Sequence, residues 1–496
     1  MVKLFNTAKA STMAKELNTA APALQVKSTT RLSLLAIALT GLIGCTVGPD
    51  YQAPTQLSQE LKMPQLAPVA AARDDQHNQQ LTSWWQSFAD AELNRLISTA
   101  LVNNQTLAAA QANVDRAYAV FADSDDNQLP KGIPSLGYSA NATPAEVSAT
   151  GERFTSRQFQ TGIGLSWDLD LFGKIKRASE AALADAQGAE FAWRDAQLTL
   201  IAQVAQSFGD YRGAALRLQV ASQNLANLQQ TTQLISARRD AGMASDLELA
   251  RIKAQTFAVE TTLPDFQLAK RRAELTLAAL LGSSVEALAL DNSAFQLPEL
   301  KTPQAVAKVT EQLQQRPDVA IAERRLAAST AQIGLAKADL YPLLSVSGFL
   351  GFLASPDLAV GSAQQAWSVA PTLSWQGADW SSIQARIQAA NANEQAALAT
   401  FRQTVLNALS DMQLSLDSYN LSRRQQLIQQ QQLAATEQAV RLSQARFQAG
   451  NADFLELLDA QRELLAARDQ QARLTQQNFS RLVDVYRSFG GAVLEG

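Results

Sequence analysis

The chain has 496 residues, a formal net charge of −4, 47% apolar residues, one cysteine and one histidine. This apolar content is that of a folded protein and argues against disorder over most of the length. One Cys and one His exclude a disulfide framework, a Cys/His zinc site and any Ser/His or Cys/His catalytic pair that does not use His77.

The N-terminus, residues 1–44, has the pattern of a secretory signal. Lys27 and Arg31 precede an apolar run at 32–43, which is too short to span a bilayer. The run ends in Leu-Ile-Gly-Cys45, which resembles a bacterial lipoprotein signal, so Cys45 is predicted to become the lipid-modified first residue. The alternative is an inert cysteine behind a chance apolar run.

Removal of residues 1–44 makes the mature chain more acidic. Lys plus Arg falls from 42 to 37 and Asp plus Glu from 46 to 45, so the net charge becomes −8. A chain this acidic is a poor candidate for binding nucleic acid. The long leader leaves the start codon open between Met1 and Met13. An extended segment at 45–89 follows, with His77 as a solvated loop residue.

The rest of the chain is a tandem duplication. The segment 238–249 recurs as 446–457 at an offset of 208 residues, and 165–167 matches 373–375 at the same offset. This period is too long for a solenoid repeat. Each half is predicted to run helix, two strands, helix, helix, with the halves at 90–300 and 301–490.

Four segments alternate apolar and polar residues with a period of two, which predicts strands at about 133–142, 154–168, 343–353 and 366–376. Their length and their aromatic residues near the ends are typical of outer-membrane strands. Four strands cannot close a barrel, so the chain would have to share one barrel with copies of itself. The alternative is a small soluble sandwich between helices.

The longest segment without Gly or Pro is 381–449, which would extend about 100 Å as a helix. Its apolar residues recur at spacings of four and three, which predicts a narrow coiled-coil seam; a solvent-exposed coiled coil is the alternative. The seam residues are Phe401, Val405, Leu409, Met412, Leu416 and Tyr419, with Ile201, Val204, Phe208 and Tyr211 at equivalent positions of the first half.

The chain has a family resemblance over residues 42–490 that rests on five motifs, at 45–51, 84–97, 165–173, 316–319 and 455–462. It resembles the TolC-type outer-membrane efflux proteins, specifically the OprM/NodT-like lipoprotein group. Asn104-Gln105 and Lys131-Gly132 depart from the family pattern without affecting the function.

The resemblance implies a mainly α protein with a transmembrane β-barrel, four strands per protomer in a shared trimeric barrel, continued by a long periplasmic α-helical barrel. It implies a lipid-anchored homotrimer in the outer membrane of a Gram-negative bacterium. Such a trimer is the exit duct of a tripartite efflux system, conducting drugs or other small molecules from a periplasmic adaptor and an inner-membrane pump. Thr46 after the cysteine favours sorting to the outer membrane by the same resemblance.

Two glycines are predicted to end the longest helices in left-handed caps, each at a tight turn between helices. In the resembled family these turns form the periplasmic tip that meets the adaptor, although a purely structural cap would have the same sequence. The tip residues implied by the resemblance are Gly242, Met243, Ala244, Gly450, Asn451 and Ala452.

Leu455, Asp459 and Arg462 lie at i, i+4 and i+7, on one face of the final helix. The resemblance implies that they close the tip as a periplasmic gate. An ordinary surface ion pair that includes Asp459 would have the same pattern.

Two rival functions remain at this point: a periplasmic coiled-coil adaptor or scaffold, and a lipoprotein enzyme. The adaptor leaves the amphipathic strands and the duplication unexplained, and no catalytic motif supports the enzyme. Asp168 and Asp170 are interpreted as solvent-side residues at a strand end rather than a metal site. No cofactor is predicted, and the cargo and the pump cannot be identified from the sequence.

Overall fold

The computed structural model of the chain describes residues 46–53, 84–145, 151, 153–291, 295–298, 313, 316–355, 364–375, 377 and 379–491. The signal segment, Cys45 and His77 lie outside these residues. All described residues belong to one unit that begins at Thr46. Among the described helices, none is long and apolar enough to cross a membrane.

The helices and strands of the first half are α1 (Ala91–Asn103), α2 (Gln105–Asp126), β1 (Lys131–Thr143), β2 (Phe154–Leu169), α3 (Lys174–Asp240), α4 (Asp246–Glu260) and α5 (Leu263–Leu280). Those of the second half are α6 (Pro317–Ala338), β3 (Leu343–Ala354), β4 (Gln364–Ser374), α7 (Trp380–Gln448) and α8 (Phe454–Ser488). Short 3-10 helices occur at Trp84–Phe88 and Glu286–Leu288.

The four strands form one antiparallel sheet in the order β1-β2-β3-β4. Most of its apolar residues share one face because their register pairs them across the strands, as with Ile163 opposite Leu350. This face is open: Leu136 is 84% exposed and Trp367 76% exposed. A soluble sandwich would bury such a face, so that alternative is wrong.

The two repeat-related helices α3 and α7 have 67 and 69 residues, and therefore extend about 100 Å each. Gly242 and Gly450 end them with φ values of 72° and 74°. The backbone N–H of Met243 donates to the carbonyl of Arg238 at 2.7 Å, which satisfies a free carbonyl of the last turn. The predicted left-handed caps are confirmed.

The helix pattern predicted for each half is wrong for the first half, whose described residues form five α-helices. Asn104 divides α1 from α2, because its side chain caps the N–H of Leu107 at 3.0 Å and donates to the carbonyl of Leu280 at 2.8 Å. Pro264, which has no N–H to donate, lies in the first turn of α5 just after the break that ends α4. The second half has the single helix α8 in place of α4 and α5, and it is continuous over 35 residues.

The main core lies where α3 meets α1, α5 and α8. Over 200–215 most faces of α3 are buried. The packing there is a wide core, broader than the predicted narrow seam. Gly209 and Gly213 let α8 approach closely: a Cβ on Gly209 would lie 2.5 Å from the ring of Phe479. Of the predicted seam residues on α7, Phe401, Val405, Leu409 and Met412 are buried, and Leu416 and Tyr419 pack against them.

Candidate functional site

The two helix turns predicted as the tip lie at 241–246 and 449–454, and we call them the tip. One apolar cluster supports both turns. Phe447, just before the second turn, and Phe454, its last residue, pack in the same cluster as Leu249, which follows the first turn. A Cβ on Gly242 or Gly450 would meet no atom within 4 Å. The glycine turns are thus held from below and open on their outer side.

Polar contacts fix the shape of each turn. Ser245 and Glu248 form a reciprocal capping box at the start of α4. Arg446 bridges the second turn, with its guanidinium 2.8 Å from the carboxylate of Glu456. Arg239 donates to Asp240 at 2.7 Å, and this hydrogen bond raises the pKa of the guanidinium. These contacts leave the turn backbones themselves accessible.

The three predicted gate residues share one exposed face of α8. Leu455 is exposed, and Asp459 and Arg462 have side chains 59% and 61% exposed. Their oppositely charged atoms are 3.7 Å apart, an i,i+3 pair within one helix. The buried side of α8, with Leu457 and Leu458, packs in the apolar cluster that supports the tip. The face with the gate residues is therefore the one that α8 presents outward from its own protomer.

A second element was missed by sequence reasoning: the segment that directly follows Cys45. Residues 46–51, which we call the N-terminal strap, run against the start of α3 and against α6. The N–H of Val47 donates to the carbonyl of Phe172 at 3.1 Å. Tyr51 donates from its hydroxyl to Glu323 at 3.0 Å.

Arg177 of α3 holds the strap in place. This buried guanidinium donates to the carbonyls of Val47 and Gly48 and to the carboxylates of Asp50 and Glu180, the last two at 2.7 Å. The motif around Cys45 was the only sequence signal for this contact, because Arg177 looks like an ordinary helix-surface charge.

A charged cleft of about 620 Å³ lies among α3, α6, α7 and α8. Burial, followed by the neighbouring charge of Asp318, raises the pKa of Asp195, and burial also raises the pKa of Asp484. Arg316 crosses the cleft wall and donates to the carbonyl of Ser488 at 2.5 Å. The cleft lies between the C-terminal end of α8 and the helices α3, α6 and α7.

The strand ends contribute hydrogen bonds rather than a metal site. Asp170 accepts from the N–H of Lys176 at 2.7 Å, at the start of α3. Trp167 and its repeat counterpart Trp375 donate their indole N–H groups to the carbonyls of Gln128 and Leu340 at 3.1 and 3.0 Å. Within the described residues, no group of His, Cys, Asp and Glu could hold a metal ion.

Comparisons with known proteins agree with this architecture. The pattern of the family described as "Outer membrane efflux protein" matches residues 96–283 and 309–491, once in each half. Outer membrane protein OprJ of Pseudomonas aeruginosa is 31% identical over 478 residues, covering 94% of this chain and 96% of OprJ. Cation efflux system protein CusC of Escherichia coli is 31% identical over 473 residues, covering 92% and 98%. The solved outer-membrane channel OprN is 35% identical with a TM-score of 0.83, covering 91% of this chain and all of OprN.

The chain belongs to the outer membrane efflux protein family. It is an outer-membrane channel of the TolC type, with a tandem-duplicated chain, a β-barrel and a long periplasmic helical part. This family and the open apolar sheet face set aside the adaptor or scaffold alternative, and the family is one of channels rather than enzymes.

Proposed function

We propose that three copies of this chain close one barrel and act as the exit duct of a tripartite efflux system. The exposed apolar sheet carries the proposal, because an apolar face on a membrane protein belongs against lipid. Every backbone N–H and carbonyl within a bilayer needs a partner, and the sheet has two outer strands, β1 and β4. Pairing β4 of one copy with β1 of the next would give three times four, or twelve, strands.

The long helices support the same homotrimer. Exposed apolar residues recur at intervals of seven or fourteen positions along α7, a spacing typical of a helix-packing seam. A second set of exposed apolar side chains lies on α4 and α5, and the neighbouring copy would cover both. The first set is Leu414, Leu421, Ile428 and Leu442, and the second is Phe257, Leu268 and Leu275.

The tip is the proposed contact site for the partner proteins of the channel. We infer that a periplasmic adaptor binds Gly242, Met243, Ala244, Gly450, Asn451 and Ala452, and that the adaptor links the channel to an inner-membrane efflux pump. Exposure of Met243 and open space above both glycines support this contact. A photo-crosslinking residue at Met243 should capture an adaptor in living cells, whereas the same residue at exposed Val102 on α1 should not.

Leu455, Asp459 and Arg462 form the proposed gate. Their common exposed face supports this role, because three-fold symmetry would bring three copies of that face around one axis. Three carboxylates near an axis repel one another unless paired, and Arg462 supplies the pairing charge. Adaptor binding would open the gate by separating the helix pairs.

The lipid anchor is proposed at Cys45, after removal of the signal segment 1–44. The N-terminal strap supports it, because the residues just after Cys45 are fastened where the sheet meets α3. Cys45→Ser should leave a precursor or mislocalised protein. A mature wild-type chain with the intact mass of an unmodified polypeptide would contradict the anchor. The segment 45–89 and the repeats 90–300 and 301–490 then make up the mature chain.

Deletion of the gene tests the duct as a whole. A deletion strain should become more susceptible to some members of a compound panel, and the wild-type gene should restore resistance. A variant lacking 364–374, which is β4, is the matched control because it cannot complete the barrel and should not restore resistance. Restoration of resistance by that variant would contradict the proposed function.

A further inference from the structure

The polar face of the sheet also carries apolar residues: Leu343 and Leu353 lie near its two ends, and at one level between them two apolar residues flank Gly164. Register places Phe349 opposite Gly164 and Ser368, and Ile133 opposite the same Gly164. Both therefore lie on the face opposite to the exposed apolar one, among serine, glutamine and glycine residues. We call Phe349 and Ile133 the lumen girdle.

The backbone around Phe349 is shaped for its ring. A Cβ on Gly162 would lie 2.8 Å from the ring atom Cε2, and a Cβ on Gly351 would lie 2.7 Å from Cζ. These two glycines are direct partners across β2 and β3. The ring of Phe349 therefore lies directly against the backbone of Gly162 and Gly351. A side chain at either glycine would collide with the ring. Phe349 remains only half-buried, and Ile133 is exposed.

In the proposed trimeric barrel, on which this inference rests, three girdles would face one lumen at the same level. We propose that the lumen girdle contacts passing cargo and favours compounds with a flat aromatic or apolar part over bare metal cations. Aromatic rings bind other aromatic faces and organic cations through their π-systems. A few such contacts hold a molecule briefly without trapping it, as conduction requires.

The competing explanation is structural: the ring covers glycine backbone and stiffens the sheet. The two explanations differ in what a substitution changes. A structural ring affects the stability of the trimer and treats all permeating molecules alike. A cargo-contacting ring affects the binding of aromatic molecules and spares that of metal cations.

Ion current through purified trimers in planar bilayers distinguishes them, with either ethidium or the metal cation Mg²⁺ added on the extracellular side. Ethidium should interrupt the wild-type current, and Phe349→Ser should raise its half-blocking concentration about fivefold, the size of one aromatic contact. Ile133→Ser should weaken the block in the same direction. Mg²⁺ should act equally on all three proteins.

Phe352→Leu is the matched control for Phe349→Leu, because Phe352 lies on the apolar face of the same strand. Only Phe349→Leu should weaken the ethidium block, and this conservative pair also serves if Phe349→Ser does not assemble. A wild-type current that ethidium does not interrupt, or an equal block in Phe349→Leu and Phe352→Leu, would overturn the girdle while leaving the channel intact. A trimer that carries no current would instead contradict the proposed function, and the girdle with it.

Discussion

Gly48 of the N-terminal strap and Gly334 of α6 touch backbone to backbone. A Cβ on Gly48 would lie 2.4 Å from the Cα of Gly334, and Gly48 has a φ of +99°. A Cβ on Gly334 would lie 2.8 Å from the carbonyl oxygen of Val47 and from the side chain of Arg177. Two residues without side chains thus let the strap lie flat where the sheet joins the helices.

Replacement of Arg177 by methionine should release the strap. Its guanidinium is buried and satisfies two half-buried carbonyls and two solvent-accessible carboxylates, so its loss leaves these acceptors without their donor at a cost of about 1–2 kcal/mol. Hydrogen exchange of the amide of Val47 should then accelerate. Arg194→Met, at a half-exposed i,i+4 pair on the same helix, should leave both exchange and stability nearly unchanged. Equal exchange in the two variants would show that Arg177 does not hold the strap.

Two glycines of α3 should respond oppositely to alanine. Gly209→Ala forces a Cβ to within 2.5 Å of Phe479 and should destabilise the trimer by about 1–3 kcal/mol. Gly188 has only the Cβ of Arg324 near it, at 3.7 Å, so Gly188→Ala should be neutral or stabilising by up to about 1 kcal/mol. Thermal unfolding of both variants measures the difference. A Gly209→Ala trimer as stable as the wild type would contradict the close approach of α8.

The charged cleft should make stability depend on pH in a residue-specific way. The raised pKa of Asp195 means that its ionised form is penalised in the folded state at neutral pH, and the penalty disappears as pH falls through that raised pKa. Asp195→Asn should therefore stabilise the protein at pH 7.5, with a gain that shrinks on acidification.

Asp469→Asn provides the control of opposite sign. Burial would raise the pKa of Asp469, but hydrogen bonds from Arg217 and Arg473 outweigh it and lower the pKa. Its ionised form therefore stabilises the fold above the ordinary carboxyl pKa of about 4, and this stability is lost as pH falls through the lowered value. Asp469→Asn should destabilise at pH 7.5. Thermal midpoints of both variants that change with pH in the same direction would contradict these charge assignments.

Local pattern was sufficient to predict the sheet. A period of two identifies strands wherever one face is apolar, so the residues of 154–168 could be assigned to faces before any contact was known. The duplication could be predicted because two segments repeat at one offset. The long helix 381–449 followed from its lack of Gly and Pro.

Contacts distant in sequence could not be predicted in this way. Gly48 and Gly334 meet only after folding, and nothing in either local sequence indicates the other. The wide core around 200–215 depends on which helices pack beside α3, which the period of one helix does not contain. The division of the first half at Asn104 depends on a hydrogen bond that the Asn104 side chain donates to the carbonyl of Leu280, which belongs to another helix. For the candidate gate, the helical period was sufficient to place Leu455, Asp459 and Arg462 on one face of α8. Only the assembly of several chains can bring that face to a symmetry axis.

The gate variant Asp459→Ala/Arg462→Ala should raise conductance and admit large antibiotics through the outer membrane. Exposed ion pairs contribute about 0–1 kcal/mol each, so removing them should shift the closed state toward open without unfolding the trimer. Glu190→Ala/Arg194→Ala removes another exposed pair far along the chain from the tip and should leave conductance unchanged. If the gate variant is folded and trimeric but conducts like the wild type, Asp459 and Arg462 form only a surface pair.

The claim that three copies close one conducting barrel is tested most directly on a single preparation. Detergent-corrected light scattering gives the number of chains per particle, and planar bilayers give the current that the same particles carry. We expect a particle of three chains that inserts and conducts in discrete, uniform steps. A folded monomer, or a trimer that inserts without conducting, would contradict it.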